Sequence, residues 1–207
     1  MRRVGRARPA AYNRGMAKGS QYVGRGGDKL AGALNAFRLD VAGQRCADLG
    51  CNVGGFTDCL LRRGAERVYA VDTGYGALDW KLRTDDRVVV MERTNALHCQ
   101  PAEPVDLVAV DVAWTPQERI VPAAAAWCGE GGRILSLLKP HYELAKLRKR
   151  RPGKPLTDAE ANETCLAVCE RLAGLGLPPS AVMQSRLRGK GGNVEFLLLI
   201  EPDGNTG

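Results

Sequence analysis

The chain has 207 residues, of which 44% are hydrophobic and 26% charged. These values are typical of one soluble globular domain that is long enough to bury a full core. No apolar run approaches the roughly 18 residues that a membrane-spanning helix needs, and the N-terminus lacks the apolar stretch of a secretory signal. Composition therefore argues against a membrane or secreted protein, and we expect a cytoplasmic one.

The formal net charge of +7 is unevenly distributed along the chain. Residues 1–27 contain seven basic residues and no acidic one, and residues 144–155 contain six basic residues and again no acid. The remainder is mildly acidic. Two basic segments on an acidic body are typical of a protein that binds a polyanion. Two solvated tracts are the alternative for both segments, and an organelle-targeting sequence is a further alternative for the first.

The first elements in chain order are a tail and a helix. Residues 1–20 show no periodicity, which predicts a flexible basic tail before a single domain at 21–202. From Asp28 onward, apolar residues at helical spacing predict a helix of about three turns.

Strands and helices then alternate. Strands are predicted at 45–50, 67–72, 87–92, 105–112 and 132–139, and helices at 54–64, 76–83 and 116–128. A long helix at 157–176 begins with a capping box formed by Thr157 and Glu160. Two final strands, at 180–187 and 194–200, have no helix between them.

This order predicts an α/β fold with a mostly parallel, seven-stranded sheet. The strands are apolar on both faces, so helices should cover both faces of the sheet. The last two strands must pair as an antiparallel hairpin, because a parallel connection needs a longer crossover. Trp80, on the second helix of the alternating region, is expected in the core.

The seven cysteines form no C-x-x-C pair. In a chain of this size they are best interpreted as small buried hydrophobic residues in a reducing compartment, rather than as metal ligands or redox groups. No metal site is predicted.

The loop after the first predicted strand, in ADLGCNVGGFTD, indicates the class of ligand. Gly50, Gly54 and Gly55 would let the backbone approach a ligand at the start of a helix. The dinucleotide pattern G-x-G-x-x-G is absent, and Asp48 at the strand end would repel a pyrophosphate. A carboxylate there suits an ammonium or sulfonium ligand. Asp72 lies 24 residues further on, where an acid often binds ribose hydroxyls, so S-adenosylmethionine is favoured over a nicotinamide cofactor.

Charged residues also stand at the ends of other predicted elements. The apolar strand in RILSLLKPHYE ends at Lys139, and burying a lysine head is costly unless it reaches water or has a chemical role. Asp111 ends another strand, Glu195 begins the last one, and Lys29 lies at the start of the first helix. Two lysines and two acids could therefore converge on one cleft.

Three segments carry a resemblance to a known family: YVGRGGDKL, ADLGCNVGGFTDCLLRRGAERVYAVDTGYGALDWKLR and LLKPHYE. From about Tyr22 to Ile200 the chain resembles the FtsJ-type RNA 2′-O-methyltransferases, and among them the TlyA branch, some of whose members are named hemolysins. The resemblance implies a class I, Rossmann-like methyltransferase fold, S-adenosyl-L-methionine as cofactor, and RNA, in particular ribosomal RNA or a ribosomal subunit, as partner.

The resemblance also implies roles for individual residues. It implies a catalytic tetrad of Lys29, Asp111, Lys139 and Glu195. The implied cofactor-binding residues are Asp48, Gly50, Cys51, Asn52, Gly54, Gly55, Phe56, Asp72, Asn95 and Asp111. The basic segments then become RNA-binding candidates, at Arg25, Lys146, Arg148, Lys149, Arg150, Arg151 and Lys154.

The chain departs from the family pattern in two places. TlyA proteins usually carry a small RNA-binding domain before the catalytic one, where this sequence shows a basic tail. Their Asp-Val pair is usually followed by Ser and Phe, where this chain has Ala113 and Trp114. These departures affect RNA docking and the acceptor pocket, and neither falls on the tetrad.

Methyl transfer to a ribose hydroxyl needs alignment of the donor and a base for the hydroxyl proton. A free lysine, with a pKa near ~10.4, is protonated at neutral pH, but burial and a second cation favour its neutral form. Lys139 with Lys29 close by would meet both conditions, and Asp111 and Glu195 would orient the lysines. Tyr142, Trp114 and His141 could stack on a displaced base, or simply pack beneath a loop.

Two other functions are left open. One is a non-catalytic RNA- or ribosome-binding module that retains the fold, and the other is a membrane-active protein, as the hemolysin name suggests. The paired lysines and acids argue against the module. The absence of a long basic amphipathic helix argues against membrane activity.

Overall fold

The computed structural model describes residues 19–147, 155–189 and 191–202. Within these ranges seven strands form one sheet. They are β1 (Arg45–Leu49), β2 (Arg67–Val71), β3 (Val88–Met91), β4 (Val105–Val110), β5 (Cys128–Leu138), β6 (Pro179–Gln184) and β7 (Phe196–Ile200). The helices are α1 (Arg25–Ala36), α2 (Gly55–Arg62), α3 (Trp80–Arg83), α4 (Gln117–Ala125), α5 (Pro140–Leu147) and α6 (Asp158–Gly174).

The sheet has the predicted, mostly parallel arrangement, in the order β3-β2-β1-β4-β5-β7-β6. β7 runs opposite to the other six strands, and it pairs with β5 on one side and β6 on the other. The order of the strands across the sheet changes direction between β1 and β4, and these two strands run parallel to each other. Ligands in such sheets bind beyond the carboxyl ends of the strands at this reversal.

Each face of the sheet is covered by helices, as predicted. Alternate strand residues enter two separate cores, because side chains on a strand point to opposite faces in turn. One core packs α1, α2 and the α3 segment, with Leu30 and Leu60 among its buried residues. The other packs α4 and α6, and its largest buried side chain is Trp127, whose indole N–H donates to the Cys99 carbonyl over 3.1 Å.

Some element boundaries differ from the prediction for local reasons. The first helix begins at Arg25 rather than Asp28, and its first turn packs closely on α2: a Cβ on Gly55 of α2 would lie 3.0 Å from the Gly27 nitrogen. The sequence patterns do not predict α5, which begins at Pro140. Proline is well tolerated at the first position of a helix, where no N–H is needed.

The prediction for Trp80 was wrong. Its side chain is 73% exposed at the start of α3, which spans only four residues because Asp79 caps it and the preceding residues form a loop. Leu78 and Leu82 fill the core position instead.

Candidate active site

The loop after β1 is held against the end of β4. Gly50 has a φ of 93°, and a Cβ at this position would lie 2.8 Å from the Asp111 carbonyl oxygen. Gly54 has a φ of 94°, and a Cβ there would lie 2.3 Å from Leu82 Cδ1. Both positions therefore require glycine, and they bring the start of α2 against the strand ends.

Asp48 is fully buried beneath this loop. Its Oδ2 accepts hydrogen bonds from the Thr57 backbone N–H, at 2.9 Å, and from the Thr57 hydroxyl, at 2.7 Å. Its Oδ1 has no partner among the described residues. Desolvation, reinforced by the negative charges of Asp111 and Asp72, raises the pKa of Asp48 to about 7 although Thr57 opposes the shift.

Asp72, at the end of β2, organises the neighbouring loops. Its Oδ2 accepts from the Asn52 N–H at 2.9 Å, and its Oδ1 accepts from the Gly74 N–H at 2.7 Å. The Asn52 backbone is left-handed, with a φ of 46°. Asn95, after β3, is exposed, and its side-chain oxygen caps its own turn by accepting from the Leu97 N–H at 3.0 Å.

These residues fit a cationic nucleoside ligand. Three carboxylates, of Asp48, Asp72 and Asp111, are close enough to raise the pKa of one of them. A buried carboxylate oxygen without a partner is costly, and a bound ammonium or sulfonium group would repay that cost. Cys51 and Phe56 are buried beside the loop and supply apolar packing. A pyrophosphate would be repelled here.

The two lysines each form a partly buried ion pair with one carboxylate. Lys29, on the second turn of α1, pairs with Glu195, and their side chains are 10% and 4% exposed. Lys139, immediately after β5, pairs with Asp111, and their side chains are 14% and 26% exposed. The Lys139 ammonium also donates to the Val112 carbonyl over 3.3 Å.

The sheet brings the two pairs together. Leu138 pairs with Phe196 across β5 and β7. Lys139 and Glu195 therefore lie side by side where β5 ends and β7 begins. On α1, Gly26 lies about one turn before Lys29, and a Cβ on it would be 3.6 Å from Asp111 Oδ2. The four residues predicted to converge therefore do so, as two adjacent pairs.

His141 lies near both lysines. Burial lowers the pKa of its imidazole, and the positive charges of Lys139 and Lys29 lower it further. Its Nδ1 is buried without a partner among the described residues. His141 is therefore a neutral group at neutral pH in the wall of the site.

Three aromatic rings form a small cluster between the loop after β4 and the start of α5. The Trp114 side chain is 66% exposed, and its ring centroid lies 4.9 Å from that of Tyr142. The Tyr142 ring in turn lies 4.2 Å from that of His141. Trp114 is thus not packed beneath a loop, and it offers an open ring face next to the tetrad.

Of the predicted RNA-binding residues, the structure describes the side chain of Arg25 alone. Arg25 is exposed at the start of α1, where its guanidinium donates to the Arg188 carbonyl over 2.9 Å. The other six lie outside the residues or side chains that the structure describes: Lys146 (side chain), Arg148, Lys149, Arg150, Arg151 and Lys154.

Sequence reasoning missed a buried contact that fixes the loop after β4. The Glu143 carboxylate on α5 accepts from the Gln117 N–H, at 3.0 Å, and so caps the start of α4. The Gln117 side chain accepts from the Ser136 hydroxyl at 2.6 Å. Burial raises the pKa of Glu143. No periodicity in the sequence signals a contact between a backbone N–H and a side chain 26 residues apart.

The fold and this strand-end site define a class I methyltransferase architecture. Magnesium protoporphyrin IX methyltransferase from Synechocystis, solved with bound S-adenosylmethionine, superposes with a TM-score of 0.58 at 17% identity, covering 85% of this chain and 77% of that one. At such low identity the similarity concerns the fold alone.

A family model described as FtsJ-like methyltransferase matches residues 22–201, and the chain belongs to that family. The 16S/23S rRNA (cytidine-2′-O)-methyltransferase TlyA of Mycobacterium tuberculosis is 43% identical over 183 residues, which are 86% of this chain and 68% of the relative. A hemolysin-named crystal structure from Lactococcus lactis is 34% identical, with a TM-score of 0.81, and covers 88% of this chain and 89% of that one.

Proposed function

We propose that the protein transfers a methyl group from S-adenosylmethionine to a ribose 2′-hydroxyl of RNA, with ribosomal RNA as the substrate. The observation that carries the proposal is the pair of adjacent, partly buried lysine–carboxylate contacts, Lys29–Glu195 and Lys139–Asp111, beside the acidic loop after β1. The family membership and the ribosomal RNA named for the 43% identical relative support the choice of substrate.

When bound, S-adenosylmethionine supplies a methyl group that is already activated for displacement. The residues that would hold it are Asp48 beneath its cationic end, the loop residues Gly50, Cys51, Asn52, Gly54, Gly55 and Phe56, and Asp72 and Asn95 on the ribose and adenine side. The protein's remaining task is to align the acceptor hydroxyl and to remove its proton.

In this proposal Lys139 is the general base. In its neutral form its amine would accept the proton of the 2′-hydroxyl while the methyl group passes from the sulfonium sulfur to the hydroxyl oxygen, and the resulting ammonium would be stabilised by Asp111. Lys29, held by Glu195, adds a second positive charge beside this pair. The four residues thus act as one unit.

RNA would lie along the exposed surface around the tetrad. Arg25 contributes positive charge on the described surface, and the basic residues at 146–154 and in the tail at 1–20 add more by sequence. Contacts of this kind position the backbone without reading the base. Trp114 would stack on the displaced nucleobase. The catalytic domain is 21–202, and the reaction would take place in the cytoplasm, where ribosomes are found.

A non-catalytic RNA-binding module is the alternative. It would have no use for two partly buried ion pairs, because removing such charges from water is costly and the pairs are often no more stabilising than apolar residues. The hemolysin names of some relatives raise membrane activity instead. No helix in the described part of the chain is long and apolar enough to cross a membrane. Release of a trapped dye from liposomes would test membrane activity directly.

The first experiment is methyl transfer from methyl-labelled S-adenosylmethionine to total RNA, ribosomal subunits and DNA in parallel. We expect label in RNA, recovered as alkali-resistant dinucleotides because a 2′-O-methyl group blocks cleavage. Lys139→Ala should abolish transfer while cofactor affinity stays within a few-fold. Lys81→Ala is the matched control, since Lys81 is an exposed lysine paired with Asp58 away from the tetrad.

The other outcomes are equally informative. Full turnover by Lys139→Ala would reject the base assignment. Cofactor binding without transfer to any of the substrates would reject these substrates, and no cofactor binding at all would favour the non-catalytic module.

A further inference from the structure

The turn between β6 and β7 carries a basic cluster that the charge distribution of the sequence did not single out. We call residues 185–195 the hairpin loop. It contains Arg186, Arg188 and Lys190, and no acidic residue precedes Glu195 in it. Arg186 and Arg188 are exposed, while Lys190 lies outside the described residues.

The hairpin loop forms one wall of the candidate active site. Its backbone packs on the tetrad carboxylate so closely that a Cβ on Gly189 would lie 2.0 Å from Glu195 Oε1. The Gly189 N–H donates to the Asn193 carbonyl over 2.8 Å, and the Ser185 N–H donates to the Glu195 carbonyl over 2.8 Å. Glu195 and the exposed arginines therefore lie close together in the connection between β6 and β7.

Arg188 is held in place from several sides. Its guanidinium contacts Asp158 at 3.0 Å and donates to the Gly192 carbonyl over 3.1 Å. Its own carbonyl accepts the hydrogen bond of Arg25. Arg25 also lies one turn before Lys29 on α1, so the two arginines join both elements that supply the Lys29–Glu195 pair.

The arginine charges remain available to a ligand. The Arg188–Asp158 pair is 49% and 61% exposed, and exposed pairs of this kind contribute little to stability. Arg186 makes no hydrogen bond or ion pair with the described residues. A phosphate can replace the carboxylate of Asp158, because guanidinium groups bind phosphate through two parallel hydrogen bonds.

We propose that the hairpin loop binds the sugar–phosphate backbone of the RNA acceptor strand on the Glu195 side of the active site. Arg186 and Arg188 contact phosphates, and Arg25 completes the surface. This inference rests on the proposed function for its choice of RNA as the polyanion. It adds contact residues that are distinct in the sequence from the basic residues that follow Lys139.

The test is binding of a short, fluorescein-labelled single-stranded RNA at several salt concentrations. Arg186→Gln combined with Arg188→Gln should weaken binding about tenfold or more, and should reduce the slope of log affinity against log salt by about 1.4, at ~0.7 per lost phosphate contact. The affinity for S-adenosylmethionine should stay unchanged. The control is Arg45→Gln with Arg67→Gln, which removes the same charge at the amino ends of β1 and β2.

Two single variants keep the test sound if the double variant disturbs the turn. Arg186→Gln removes no described contact and should lower the slope by about half as much. Asp158→Asn frees Arg188 and should tighten RNA binding. An unchanged slope in Arg186→Gln, or an equal loss in the Arg45/Arg67 control, would overturn the proposal.

Failure of this inference can be told apart from failure of the proposed function. If the wild-type protein methylates RNA and the hairpin-loop variants bind RNA normally, only the inference is wrong. If the variants lose RNA affinity but the wild-type protein transfers no methyl group to any RNA, the inference stands and the proposed function fails.

Discussion

At the scale of single residues, the chemistry depends on whether Lys139 can be neutral. Its ion pair with Asp111 could be purely structural, and Lys139→Arg separates the two roles. Arginine keeps the positive charge and can pair with Asp111, but it cannot be deprotonated in a protein. We expect Lys139→Arg to retain the free energy of unfolding and cofactor affinity, and to lose activity by ~10²–10⁴-fold.

The measurement is single-turnover methyl transfer alongside urea unfolding. If Lys139→Arg retains half or more of the wild-type rate, charge alone suffices at this position and the base must be sought elsewhere. Lys29→Arg provides the comparison, because a residue that acts only through its charge should tolerate the change far better.

Asp48 leads to a second prediction, on cofactor binding and pH. Its pKa of about 7 means that much of it is protonated in the free protein near neutral pH, whereas a cationic ligand favours the ionised form. Binding of S-adenosylmethionine should therefore release a proton, and its Kd should rise as the pH falls below about 7. Titration calorimetry in two buffers of different ionisation heat measures the released proton, and Asp48→Asn should abolish it.

The same residue should cost the protein stability. The carboxyl has a pKa of about 7 when folded and 3.8 when unfolded, so the folded state binds its proton more tightly. The folded state is therefore favoured when Asp48 is protonated. This stabilisation is complete below about pH 4 and is lost as the pH rises through about 7, where the buried carboxylate is ionised. Asp48→Asn should thus raise the free energy of unfolding above pH 7, by at least ~1 kcal/mol, while weakening cofactor binding. Urea unfolding at pH 5 and 8 would check this, and equal effects at both pH values would contradict it.

At the scale of elements, local sequence signals succeeded where the structure is locally determined. The capping box of Thr157 and Glu160 is present, and α6 begins where the sequence predicted. Signals failed where distant contacts decide. The start of α1 packs closely on Tyr22 and on α2. The helix α5, which begins at Pro140, is joined to α4 by the buried carboxylate of Glu143.

Glu143 provides the prediction for this scale. Its carboxylate caps the first N–H of α4, and the connected loop carries Asp111 and Trp114. Glu143→Ala leaves the Gln117 N–H buried without a partner and should lower the free energy of unfolding by ~1–3 kcal/mol. Glu143→Gln keeps an acceptor oxygen and removes the cost of burying a charge, so it should stay within ~1 kcal/mol of wild type. Urea midpoints compare the two, and equal losses would show that the cap is not the cause.

At the scale of the whole molecule, the sheet was predictable because its strands are apolar on both faces and separated by helices. The convergence of Asp48, Asp111 and Lys139 was also predictable from the sequence, because the carboxyl ends of parallel strands lie at the same end of the sheet. The contact between Arg25 and Arg188 was not predictable, because it joins residues 163 positions apart through exposed side chains. Surface contacts of this kind leave no periodic pattern in a sequence.

The last prediction concerns the distribution of charge over the whole chain. Residues 1–18 carry six basic side chains on a protein whose remainder, outside its basic clusters, is mildly acidic. If this tail binds RNA, changing Arg2, Arg3, Arg6, Arg8, Arg14 and Lys18 to glutamine should weaken RNA binding and lower its salt slope, because fewer counterions are released. Cofactor affinity and the unfolding midpoint should not change, since the family match begins at residue 22. Unaltered RNA affinity would restrict binding to the domain itself, where the hairpin loop and the segment after Lys139 would carry it alone.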